Sequence, residues 1–187
     1  MTDLSRALRD FVLLFERMEA PYVVMGGLAV RVHGIPRPTH DVDFTLAMDR
    51  SRLPELYRAV AALGYTVPEE YLSGWVDQVA GMPIVKFRLY VEGRGIDLDV
   101  FLAESTFQQQ VLARRRHEHI DGFAAWIVSA EDLILLKLLA GRPRDIADVG
   151  DIIFVQGRLD QEYMRHWAEQ LGISPQLERV LAESPQI

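Results

Sequence analysis

Apolar residues recur at helical intervals along the first stretch of the chain, with Leu4, Ala7, Leu8, Phe11, Val12, Leu14, Phe15 and Met18 on one broad face before Pro21. The spacing predicts a helix over residues 3–18. A compact apolar run, Tyr22 to Met25, reads as a buried strand that ends in Gly26-Gly27. Leu28 to His33 then reads as a short helix closed by Gly34. Pro36 and Pro38 hold the following segment extended, and Val42 to Leu46 read as a second strand. Ser51 stands where a cap is expected for a helix carrying Leu53, Leu56, Ala59, Val60 and Leu63, which Gly64 terminates. Tyr65 to Val67 are read as a short strand.

Residues 68–82 mix acids, aromatics and glycine without a period, and read as a loop or irregular helix. Ile84 to Val91 and Ile96 to Leu102 alternate in polarity around Glu92-Gly93-Arg94-Gly95, which predicts a β-hairpin. Thr106 to Arg116 read as helix, and Asp121-Gly122 as a turn between short strands around His119 and Ala125 to Val128. From Ser129 the pattern is helical. Ser129 and Asp132 are spaced as a capping-box variant ahead of Leu133 to Leu139, and Pro143 and Pro175 can each start a further helix. The expected fold is α/β (α+β), a mixed, mostly antiparallel sheet with flanking helices. Residues 1–128 form its core and residues 129–187 a helical region packed on it.

Composition narrows the chemistry. A chain of 187 residues with 49% apolar residues can bury one substantial core. The absence of cysteine excludes disulfides, thiolate metal sites and thiol nucleophiles, so any site rests on oxygen and nitrogen. Acidic and basic residues interrupt the first stretch, and no run of about 18 apolar residues occurs. A cytoplasmic, soluble protein is expected. The formal charge of −7 disfavours a broad nucleic-acid footprint but leaves room for a local basic groove. Arg114-Arg115-Arg116-His117, the only basic run, reads first as a solvated helix end and second as a nucleic-acid edge.

The strongest chemical signal is an ordered set: Gly26-Gly27, His33-Gly34, Arg37, Thr39, Asp41-Val42-Asp43, and later Asp97-Leu98-Asp99. On an extended strand Asp41 and Asp43 point to the same face. Two converging carboxylates raise each other's pKa unless a cation sits between them, and Mg²⁺ is the expected partner. A third carboxylate from a neighbouring strand would complete a two-ion site. Gly26-Gly27, between strand and helix, would let backbone N–H groups approach a phosphate.

In combination, residues 26–44 (GGLAVRVHGIPRPTHDVDF) resemble the nucleotidyltransferase signature of the DNA polymerase beta superfamily, in particular small bacterial minimal nucleotidyltransferases and AbiE-type toxins. The likeness covers roughly residues 20–155. It implies that Asp41, Asp43 and a third acid bind divalent metal and are catalytic. Val100-Phe101-Leu102 followed by Phe107-Gln108 favours Asp99 over Asp97 as that third acid. It further implies nucleotide-binding roles for Gly26, Gly27, Arg37, Thr39 and Lys137. Arg37 reads equally as a triphosphate grip or as an anchor of its loop to a carboxylate. Lys137, in an otherwise apolar helix, either snorkels outward or enters the cleft. Asp145 and Asp148 share a helix face, with Lys137 or Arg142 as structural partners, and His33 reads as a packing residue.

The implied activity is transfer of a nucleoside monophosphate from a nucleoside triphosphate to an acceptor hydroxyl, with Mg²⁺ or Mn²⁺ as cofactor. The acceptor is open between a protein, a transfer RNA and a small molecule, and residues 68–82 are the expected acceptor-facing region. The competing expectation is a catalytically silent nucleotidyltransferase fold that binds a partner, such as the antitoxin half of a toxin–antitoxin pair.

Overall fold

Alternation along three hairpins and two crossovers builds a single sheet. The computed structural model describes residues 2–183. In chain order the elements are α1 (Asp3–Arg17), β1 (Tyr22–Met25), α2 (Gly26–His33), β2 (Asp41–Leu46) and, after a 3₁₀ turn at Arg50–Arg52, α3 (Leu53–Ala62). Next come α4 (Glu69–Leu72), β3 (Asp77–Val79), β4 (Met82–Val91), β5 (Arg94–Leu102), α5 (Thr106–Ala113), β6 (Arg116–Ile120) and β7 (Phe123–Ile127). Four helices close the described chain: α6 (Ala130–Ala140), α7 (Pro143–Gln156), α8 (Gln161–Leu171) and α9 (Ser174–Glu183). The strand order is β3-β4-β5-β2-β1-β7-β6, with β2–β5 and β1–β7 parallel and the other pairs antiparallel.

Each hairpin turns on two residues with positive φ: Ala80-Gly81, Glu92-Gly93 and Asp121-Gly122. Such turns match the twist of the flanking strands and fix the register. Arg94 and Gly95 therefore belong to β5 rather than to the turn.

One face of β2 is wholly apolar, since Val42, Phe44 and Leu46 are fully buried. Helix α1 packs there through Phe11 and Phe15, whose rings lie 6.0 Å and 5.2 Å from that of Phe44. Tyr65 and Phe87 complete this aromatic nest around Phe11. Each such side chain contributes about 1.5–3 kcal/mol of burial. The period of two consequently turns Asp41, Asp43 and Thr45 to the opposite face. On that side α2 packs against β2, α6 and α7. Leu133, Ile134, Leu135 and Leu138 of α6 join the same buried cluster as the sheet residues.

Several local expectations change. Residues 68–82 contain a helical turn and strand β3, whose three residues are too few to show alternation. Thr66 makes only an isolated bridge to Arg88. The side-chain cap belongs to the 3₁₀ turn, where Asp49 accepts the Ser51 N–H at 2.8 Å, and α3 follows from Arg52 with no side-chain cap of its own. Helix α5 stops at Ala113 and Arg116 opens β6. That splits the basic run. Arg114 pairs with Glu131 at 3.1 Å and stacks 3.8 Å over the Tyr163 ring, and Arg115 lies over Trp126, so neither is a solvated helix end. Among the described residues no helix is long and apolar enough to cross a membrane.

Candidate active site

Strand register brings the acids together. Asp43 lies opposite Met25 on one side and Asp99 on the other, and Asp41 lies opposite Asp97. Asp41, Asp43 and Asp99 line one cavity of about 500 Å³. Its walls are Lys137, Arg142 and Asp145 on the helical side, Met25, Phe101, Leu133 and Leu136 as an apolar lining, and Val79, Ala80 and Met82 from the β3–β4 hairpin. Asp97 lies outside it. With Arg88, Tyr90, Thr66 and Pro68 it lines an adjoining hollow of about 400 Å³, which shares Asp41, Lys86 and Asp99 with the first.

The two glycines have a steric cause close at hand. Gly26 has φ +62°, and a Cβ there would overlap the Asp43 carboxylate. A Cβ on Gly27 would lie 2.5 Å from Thr39 Oγ1. Thr39 in turn donates its hydroxyl to Asp41 at 2.5 Å. The turn from β1 into α2 is thus shaped to seat Asp43 and the group that orients Asp41.

Burial, followed by the charges of Asp41 and Asp99, pushes the Asp43 carboxyl up to about 7, with Lys137 and Arg142 partly offsetting them. A carboxyl in that condition either keeps a proton near neutrality or takes a cation. Among the described residues no group of three or more His, Cys, Asp or Glu side chains is arranged to hold a metal ion. Asp99 is instead turned to Lys86, whose Nζ donates to it at 2.9 Å. Arg88 donates to Asp97 one step along the same hairpin.

Across the cavity stands a chain of charges. Lys137, 5% exposed, donates to Asp145 at 3.1 Å and to Asp148 at 2.6 Å. Arg37 grips Asp148 through two bonds of 2.5 and 2.7 Å, and Arg142 donates to Asp145 at 2.6 Å. Burial pulls both carboxyls up, but the bonds from Arg142, Arg37 and Lys137 outweigh it and hold them below the usual range. Three cations against two carboxylates leave this wall one positive charge in excess. His33 is buried with Nε2 donating to the Val128 carbonyl at 2.6 Å, and burial lowers its pKa.

A family model described as a nucleotidyltransferase of unknown function, DUF6036, matches residues 2–178. The chain belongs to this family. Three solved structures resemble this chain. An antigenic nucleotidyltransferase-like protein from Paracoccidioides brasiliensis is 20% identical with a TM-score of 0.53, covering 99% of this chain and 94% of that one. ANT(2'')-Ia in complex with adenylyl-2''-tobramycin is 17% identical with a TM-score of 0.61, covering 90% and 98%. The lincosamide antibiotic adenylyltransferase LnuA, lincomycin-bound, is 18% identical with a TM-score of 0.53, covering 83% and 98%. At these identities the likeness is one of fold, the nucleotidyltransferase fold. No curated protein matches the sequence.

Sequence reasoning about this DUF6036 chain missed Lys86 and the β3–β4 hairpin. The signal for Lys86 was present: Lys86 and Arg88 alternate on an otherwise apolar strand, at the same spacing as Asp97 and Asp99 on the strand after the turn.

Proposed function

We propose that the protein transfers a nucleoside monophosphate from a nucleoside triphosphate to an acceptor hydroxyl, releasing pyrophosphate. The observation that carries this reading is the placement of Asp41, Asp43 and Asp99 in one cavity whose far wall is cationic. A divalent cation fits the donor set, because Asp41 and Asp43 offer hard oxygens and the Lys137 and Arg142 charges offset the burial and crowding of the Asp43 carboxyl only in part. Asp41 and Asp43 would hold it, and when bound it would neutralise phosphate charge and polarise the reacting phosphorus.

The chain's own part is positioning. Thr39 orients Asp41, and the excess positive charge around Lys137 and Arg142 favours a polyphosphate on that wall. Met25, Phe101, Leu133 and Leu136 offer apolar surface to a base or ribose. Asp99 faces the acceptor side, where the two hollows meet. Its place in the larger cavity, which Asp97 lacks, favours it as the third acid. Arg37, bound to Asp148, serves this reading by holding the acidic helix against the loop that carries Thr39.

The structural neighbours named for adenylyl-tobramycin and lincomycin make small hydroxylated antibiotics the first acceptors to try. The decisive experiment incubates the protein with each α-labelled nucleoside triphosphate, Mg²⁺ or Mn²⁺, a panel of such antibiotics, and a cell extract. Label transfer that disappears in Asp43→Asn supports the assignment. Equal labelling by wild type and Asp43→Asn would sink it.

A catalytically silent scaffold draws on one observation, the neutralisation of Asp99 by Lys86. Calorimetry with Mg²⁺ and nucleotide separates the two readings, since the scaffold predicts no metal-dependent nucleotide binding.

A further inference from the structure

Lys86 stands apart from the other cations of the site. It projects from β4, directly opposite Asp99 in the β4–β5 register, and its ammonium lies 2.9 Å from the Asp99 carboxylate. The backbone beneath it is pinned from outside the ladder: the Lys86 N–H donates to the Tyr71 hydroxyl at 3.1 Å, and that hydroxyl donates to Asp77 at 2.7 Å. The side chain is 43% exposed and lines both hollows.

The two strand-β2 acids are treated differently. Asp41 accepts a hydrogen bond from the neutral Thr39, and among the described residues neither Asp41 nor Asp43 forms an ion pair. Unmatched negative charge therefore sits on β2. The charge on β5 has been met by a lysine.

We propose that Lys86 stands in for a second cation at this centre, so that the centre binds one divalent ion, at Asp41 and Asp43, and admits a second at Asp99 only when the lysine charge is removed. The inference rests on the metal reading of Asp41 and Asp43 given above. Its physical basis is competition for one carboxylate. A second divalent ion at Asp99 would have to displace an ammonium held on its own strand position, shed tightly held water, and stand beside both the ammonium and the first ion. Among the described residues the first ion has no ion pair to break at Asp41 or Asp43, and Lys137 and Arg142 offset the Asp43 charge only in part. Lys86 also supplies one fixed positive charge where the acceptor-side hollow opens, which makes that side less dependent on free divalent ion than a three-carboxylate centre would be.

The test counts bound Mn²⁺ by electron paramagnetic resonance, with the metal alone and no nucleotide. Wild type should bind one ion per chain, Lys86→Met two, and Lys86→Arg one. The double variant Lys86→Met/Asp99→Asn should return to one, which assigns the added ion to Asp99. Two ions on the wild type, or one on Lys86→Met, would overturn the inference and leave the Asp41 and Asp43 reading standing. No ion on the wild type would overturn both, because the first site would then be missing.

Discussion

The Asp43 carboxylate occupies the space that a side chain on Gly26 would need. Gly26 also has φ +62°, a left-handed conformation that costs an L-residue about 1–2 kcal/mol. Gly26→Ala should therefore lower stability in urea by about 2 kcal/mol and weaken Mn²⁺ binding through the displaced carboxylate. Gly150, inside α7 with nothing within 4 Å of an added Cβ, is the matched control. Gly150→Ala should leave metal binding intact and raise stability by about 0.5–1 kcal/mol.

Asp43 itself is a cost to the metal-free fold. Its folded pKa, pushed up to about 7 from 3.8, means the charged form is disfavoured relative to the unfolded chain. The penalty is absent at pH below the unfolded value, grows as pH rises through the interval, and is complete above about 7. Asp43→Asn should then stabilise the metal-free protein at about pH 8, on the order of 2 kcal/mol after discounting for partial exposure, with no gain near pH 4. Adding Mg²⁺ should shrink the difference, since only the wild type gains from binding. Paired thermal melts with and without Mg²⁺ check both.

Lys137 links Asp145 and Asp148 from a position almost closed to water. Removing one partner of a buried ion pair strands the others, at a cost of about 3–5 kcal/mol. Here Arg37 and Arg142 still hold one carboxylate each, so Lys137→Met should cost about 3 kcal/mol. Adding Asp148→Asn to Lys137→Met should cost less than the sum of the two single changes. Denaturant titrations of the four proteins close that cycle, and additivity would contradict the network.

His33 is buried in its neutral form, with its pKa lowered below 6.5 by burial. The unfolded chain therefore binds the proton more readily. The stability tied to His33 is fully present above about pH 6.5 and is lost as pH falls through the lowered folded value. Urea midpoints measured between about pH 7.5 and 5 should fall, and His33→Gln, which can still donate to the Val128 carbonyl, should flatten that slope.

Legibility followed the range of the interactions. The helix over residues 3–17, the strand Tyr22–Met25 and the β4–β5 hairpin announce themselves through local period and turn residues, and each was readable. Strand β3 was not, because its three residues gain their identity from pairing with β4. The Ser105–Gln108 capping box and the Asp160 cap were in the sequence, yet no apolar run of contrasting period drew attention to them. Arg114 looked like part of a solvated run because Glu131, Asp132 and Tyr163 lie far away along the chain.

By itself the sequence determined the Asp41/Asp43 pair, since a strand period of two places both on one face whatever surrounds them. It also carried the order of glycines, loop and acids that resembles a nucleotidyltransferase signature. Only the tertiary structure decided which further charges meet that pair. The parallel pairing of β2 with β5 sets Asp99 beside Asp43 and leaves Asp97 in the neighbouring hollow, and the β4 register hands Asp99 to Lys86. Partners of this kind come from distant parts of the chain, where a local period of two carries no information about them.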